Sequence, residues 1–121
     1  MKGHILLVSR DESVFLSKFR CDTLNSAGYR TTEAASLGRA VATIFSVKPD
    51  LVILEQAYSE SEKAAFIECL HESYPEMHVL CLQHGDVRPD LLLKVCGSIL
   101  SDQPGSRRVH TIQEFAARKS A

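Results

Sequence analysis

The chain has no tryptophan, no surplus of charge of either sign and no long apolar run. Its 14 lysines and arginines stand against 15 aspartates and glutamates in 121 residues, a formal net charge of −1. That balance disfavours nucleic acid as a direct partner, because neutralising phosphates requires a net basic surface. No stretch approaches the roughly eighteen consecutive apolar residues of a membrane span, and the run after Met1-Lys2-Gly3-His4 is too short for a secretory signal. A cytoplasmic location away from membranes is therefore expected. Cys21, Cys69, Cys81 and Cys96 form no Cys-x-x-Cys pair and fall inside apolar or helical patterns, so buried, reduced thiols are expected. Six residues separate Cys81 from Arg88, one too many for a phosphatase-type loop. A metal held by Cys69, His71, His78 and Cys81 would draw its ligands from a helix and a strand whose other residues are core. Glycine-rich phosphate loops, Gly-x-Ser-x-Gly and Ser/His/Asp groupings are missing. Enzymatic activity is not expected.

What is present is a single domain, residues 1–121, long enough to build one core without staples. Its organising stretch is residues 48–58. Leu51-Val52-Ile53-Leu54, between Pro49 and Glu55, reads as a strand buried on both faces, the kind found in parallel sheets. Glu55 then lies at the carboxyl end of that strand, where open α/β sheets place their sites. Ile5-Leu6-Leu7-Val8 reads as a second doubly buried strand, ending abruptly in Ser9-Arg10-Asp11-Glu12.

A helix to about Ala27 follows, with Phe15, Leu16, Phe19 and Leu24 as core candidates and Gly28 as its stop. Residues 29–34 alternate as a shorter strand. Ser36 is placed to cap a helix carrying Leu37, Ala40, Val41, Ile44 and Val47, and Ser59-x-x-Glu62 is a capping box for one carrying Phe66, Ile67, Leu70 and Tyr74. Residues 78–83 read as a fourth strand, and Pro89 opens a helix that Gly97 should end. Ser98-Ile99-Leu100-Ser101 reads as a weak fifth strand, and Val109, Ile112, Phe115 and Ala116 as a last helix. Strands alternating with helices predict a (βα)5 unit, with helices on both faces of a parallel sheet and right-handed crossovers. No linker to a second domain is visible, so a stand-alone unit is expected.

Residues 49–55, with Ile5 to Val8, Ala27-Gly28-Tyr29 and Val79-Leu80-Cys81-Leu82, resemble the CheY-like receiver domains of two-component signalling over nearly the whole chain. The resemblance thins after His84, where only Gly97-Ser98 and Gln103-Pro104 echo the family's landmarks. It implies a flavodoxin-like three-layer α/β sandwich with strand order 2-1-3-4-5, its crevice lying between strands 1 and 3.

The resemblance also implies a phosphorelay chemistry in four parts, and the chain departs from each. The Mg²⁺-holding acid pair falls on Ser9 and Arg10, the phosphoryl acceptor on Glu55, the hydroxyl position on Gln83 and the lysine position on Gln103. A receiver of this kind is a pseudo-receiver, not phosphorylated by the usual route. The expectation is an Arg10–Glu55 ion pair in the metal's place, with no Mg²⁺ and no other cofactor. Ser9-x-x-Glu12 equally fits a helix capping box, and Asp11 alone beside Arg10 is a poor cation ligand. Gln83 and His84 suit the satisfaction of backbone groups at a strand end.

Output is expected through a protein partner, a histidine kinase or a downstream effector, or through a homodimer, using residues 89–118 with Arg107, Arg108, Arg118 and Lys119 on the rim. Two alternatives remain open from the sequence. One is a small-ligand or anion sensor using Arg10 in the same crevice. The other is weakened phosphorylation, with Asp11 and Glu12 replacing the lost acids.

Overall fold

Five short strands, the central one wholly apolar, carry the sheet in the computed structural model, which describes residues 3–9, 14–55, 58–82, 88–101 and 108–111. They are β1 (His4–Val8), β2 (Arg30–Ala34), β3 (Leu51–Leu54), β4 (His78–Cys81) and β5 (Val109–Thr111). All pair in parallel in the order β2-β1-β3-β4-β5, the arrangement expected from the sequence. Between them run α1 (Val14–Ser26), α2 (Leu37–Val47), α3 (Glu60–Ser73) and α4 (Pro89–Leu100). Every residue of β3, and Ile5 to Val8 of β1, is fully buried, as their unbroken apolar character requires.

The helix ends follow local chemistry legible in the sequence. Ser36 Oγ accepts the Arg39 N–H at 3.1 Å to start α2. Ser59 Oγ accepts the Glu62 N–H at 3.2 Å while Glu62 Oε1 accepts the Ser59 N–H at 2.9 Å, a reciprocal pair that starts α3. Pro89 occupies the first turn of α4. Gly28, with φ of 102°, turns the chain out of α1 in the left-handed region open to glycine.

Two cores lie on opposite faces of the sheet. Leu6, Val8, Val52, Leu54, Val79 and Cys81 meet Ala40 and Ile44 of α2 and Phe66 and Leu70 of α3. On the other face Ile5, Leu7, Leu51, Ile53, Leu80 and Leu82 meet Cys21 and Leu24 of α1 and Leu92, Val95, Cys96 and Ile99 of α4. This placement of α4 overturns the expectation of right-handed crossovers throughout. The β1–β2 step runs one way across the sheet with α1 on its face. The β2–β3 and β3–β4 steps run the other way with helices on the opposite face, which is the same hand. The β4–β5 step also runs the other way, yet its helix lies on the α1 face, so this crossover has the opposite, left-handed sense. Among the described residues the physical reason is coverage: α2 and α3 already close one face, whereas without α4 only α1 would cover the face that carries Leu80 and Leu82.

Four further expectations need correction. Gly97 does not end α4; the 92, 95, 96, 99 spacing of buried side chains carries the helix to Leu100, so residues 98–101 are not a strand. The fifth strand is instead Val109–Thr111, which the sequence reading had placed in a helix. Phe19, a core candidate, is 52% exposed, while Arg20 and Cys21 beside it are buried. Cys69 is exposed; only Cys21, Cys81 and Cys96 are buried. Burial pushes the Cys21 thiol up to about 11 and the Cys96 thiol up to about 12, and raises Cys81 as well. The native chain should therefore give one fast-reacting thiol to an aromatic disulfide reagent, Cys69, and all four only after denaturation. Two or more fast thiols in the native chain would contradict this packing.

Candidate functional site

The crevice forms where the crossovers diverge, with α1 leaving β1 on one face and α2 entering β3 from the other. Two main-chain bonds extend the ladder just past the strands. The Ser9 N–H donates to the Ala34 carbonyl at 2.9 Å and the Glu55 N–H to the Val8 carbonyl at 3.0 Å. Ser9 and Glu55 are thus held side by side at the carboxyl ends of β1 and β3, as the sequence placed them.

Alternation along β3 decides which face Glu55 takes. Leu51 and Ile53 belong to the α1 side and Val52 and Leu54 to the other, so the next residue returns to α1. There it meets a cation. Arg20 Nη1 of α1 donates to Glu55 Oε2 in an ion pair whose side chains are 4% and 0% exposed. Arg20 lies one turn before buried Leu24 and next to buried Cys21, so it sits on the core-facing stripe of α1. Burial pulls its guanidinium below the ordinary arginine value, and the group remains charged at any pH the fold would meet. Glu55 Oε1 is buried with no hydrogen-bond partner among the described residues.

A third group closes the crevice. Tyr58, 6% exposed, donates its hydroxyl to the Ser9 carbonyl at 2.7 Å, tying the segment after β3 to the end of β1. Ser9 is itself 5% exposed. A cavity of about 450 Å³ opens beside this point, on the β2 side, lined by Ser9, Glu33, Arg39 and Thr43 among others. Glu55 does not line it.

A guanidinium does meet Glu55, and among the described residues it is that of Arg20. Arg10, Asp11, Glu12, Gln83 and His84 lie outside the described residues, as do Arg107, Arg118 and Lys119 of the expected rim. Gln103 lies outside them too, and it cannot mark the carboxyl end of the fifth strand, because that strand ends at Thr111. The expected output surface is also rearranged: α4 stands beside α1, with α3 on the far side of the sheet. Arg20 and Tyr58 were missed by the sequence reading. The available signal for Arg20 was a charge on an otherwise core-facing helix position, four residues before Leu24.

The described residues alone do not make up the donor set of the magnesium ion that the resemblance implies, and Asp11 and Glu12 lie outside them. Mg²⁺ demands near-octahedral oxygen donors and gives up its water reluctantly. The described donors are one carboxylate oxygen and a serine, and a fixed guanidinium already neutralises that carboxylate. Among the described residues no group of three histidine, cysteine, aspartate or glutamate side chains is arranged to hold a metal. A carboxylate with no exposed surface is also shielded from a phosphoryl donor.

No protein-family model matches the chain, and no curated protein sequence matches it. Solved structures do. The receiver domain of NtrX from Brucella abortus superposes with a TM-score of 0.71 at 20% identity, over 82% of this chain and 99% of its own. A two-component response regulator of the LuxR family from an Aurantimonas species gives 0.71 at 17% identity, over 98% and 99%. The chemotaxis response regulator CheY4 of Vibrio cholerae gives 0.69 at 19%, over 79% and 97%. The fold of this chain is the fold of response-regulator receiver domains.

Proposed function

We propose that the chain is a receiver-type module of two-component signalling that has given up magnesium-dependent phosphoryl acceptance and acts by binding a protein partner. The observation that carries this reading is the buried Arg20–Glu55 pair. Acceptance of a phosphoryl group needs an exposed carboxylate and a divalent cation to offset anionic repulsion. Here the acceptor position is buried and its charge is already cancelled by an internal cation. Such a module stays in one state with respect to phosphate, and its message lies in the surface it presents. The partner by this reading is a histidine kinase or a downstream effector in the cytoplasm, and the module catalyses nothing. No helix among the described residues is long and apolar enough to cross a membrane.

The test uses the intact chain. After incubation with acetyl phosphate and Mg²⁺, its mass should be unchanged, and titration with beryllofluoride and Mg²⁺ should leave the amide resonances of Ser9, Leu54 and Glu55 in place. A covalent phosphoryl adduct, or saturable shifts centred on Glu55, would overturn the reading.

A further inference from the structure

At the amino ends of β4 and β5, away from the crevice, four polar side chains join in a row. Arg108 Nη2 donates to Glu76 Oε2 at 2.6 Å, Arg108 Nη1 lies 3.2 Å from His78 Nε2, and His78 Nδ1 lies 3.1 Å from His110 Nε2. Chemistry fixes the direction of every link. A guanidinium only donates, so His78 Nε2 must be a bare acceptor. The single proton of His78 then sits on Nδ1 and is donated to His110 Nε2. His110 in turn keeps its own proton on Nδ1. The row exists only while both imidazoles are uncharged.

A proton, not a metal, belongs between the rings. Their centroids are 5.3 Å apart, close to the nitrogen separation plus the two ring radii, so the facing nitrogens point at each other. Lone pairs that oppose one another do not converge on a shared ion.

The row crosses a weak seam. β5 has three residues and lies at the sheet edge, held to β4 by its ladder and by the Val79 N–H on the Arg108 carbonyl at 2.8 Å. His110 is its central residue and is 4% exposed. An added proton would set a second donor against Arg108 or against His78 Nδ1, and would place a new cation beside the guanidinium. Among the described residues, the acids nearby already have partners. Glu76 is engaged by Arg108, and Asp50, across the adjoining cavity, accepts the His4 N–H at 2.8 Å. From α3, His71 Nε2 lies on the Met77 carbonyl at 3.0 Å, and α4 contributes Leu100 to that cavity.

We propose that His78 and His110 form a pH-sensitive latch on β5, closed while both rings are neutral and released when a proton enters the pair. The latch is independent of the phosphoryl-acceptor reading. Two measurements on the intact wild-type chain test it without any variant. Imidazole nitrogen shifts at about pH 7.5 should show both histidines neutral and protonated on Nδ1. Amide exchange of Val109, His110 and Thr111, taken relative to β1 in the same sample, should rise roughly tenfold between about pH 7.5 and 5.5. In His110→Phe the relative rate should stay flat over that range. His78 carrying its proton on Nε2, β5 exchange that tracks β1 in the wild type, or a His110→Phe chain that keeps the rise would each overturn the latch.

Discussion

Replacing Arg20 with methionine should remove about 3–5 kcal/mol of unfolding free energy, a large part of the roughly 5–15 kcal/mol that holds a domain of this size together. Methionine keeps most of the apolar length of the arginine stem, so what the substitution removes is the charged head. Glu55 would remain fully buried, one oxygen already lacking a partner among the described residues and the other newly stripped of its guanidinium. A carboxylate in that position escapes its cost by taking up a proton. In the variant the folded chain then binds a proton that the unfolded chain does not, so its stability rises as pH falls. The wild type behaves in the opposite sense, because protonating Glu55 there breaks the pair. Urea unfolding followed by circular dichroism should therefore show a deficit that is larger at about pH 7 than at about pH 5. Arg20→Met combined with Glu55→Leu should recover most of that loss, since neither charge of the pair is then left buried without the other. A single-variant loss below about 1 kcal/mol, unchanged with pH, would mean that the two charges are not coupled in a dry site.

The part of the fold that sequence made legible is the part whose pattern admits one geometry. Leu51 to Leu54 could only be a strand covered twice, and Ser36, Ser59 and Pro89 announce helix starts by chemistry local to three or four residues. The crevice and the place of Glu55 followed from those elements. Arg20 was not legible in the same way. A charged residue on a helix is ordinarily read as solvated, and its burial depends on Glu55, 35 positions away, arriving on the same face of the sheet. The α4–β5 region failed for another reason. Ser98-Ile99-Leu100 satisfies a short strand as well as a last helical turn, and tertiary packing decided between them: Ile99 completes the stripe begun by Leu92, Val95 and Cys96. Val109-His110-Thr111 has two β-branched residues in three, which suits a strand.

The side of the sheet that α4 occupies carries the second large prediction. Ile99 is fully buried in the cluster of the α1 face. Truncation to alanine removes its apolar burial and leaves a void that the surrounding Leu80, Leu92 and Val95 cannot wholly fill. Ile99→Ala should accordingly lose about 2–5 kcal/mol by urea unfolding. A solvent-facing residue of a marginal strand at 98–101 would lose far less, within about 0.5 kcal/mol. The loss alone would not say which face α4 covers, but coupling does. Leu80 shares Ile99's cluster, whereas Leu70 of α3 lies in the cluster across the sheet. Ile99→Ala and Leu80→Ala, excavating one void together, should be non-additive by about 0.5 kcal/mol or more, while Ile99→Ala and Leu70→Ala should add to within roughly 0.3–0.5 kcal/mol. The reverse pattern, with Leu70 coupled and Leu80 independent, would put α4 beside α3, restore a right-handed fourth crossover and rebuild the surface through which residues 89–118 would face a partner.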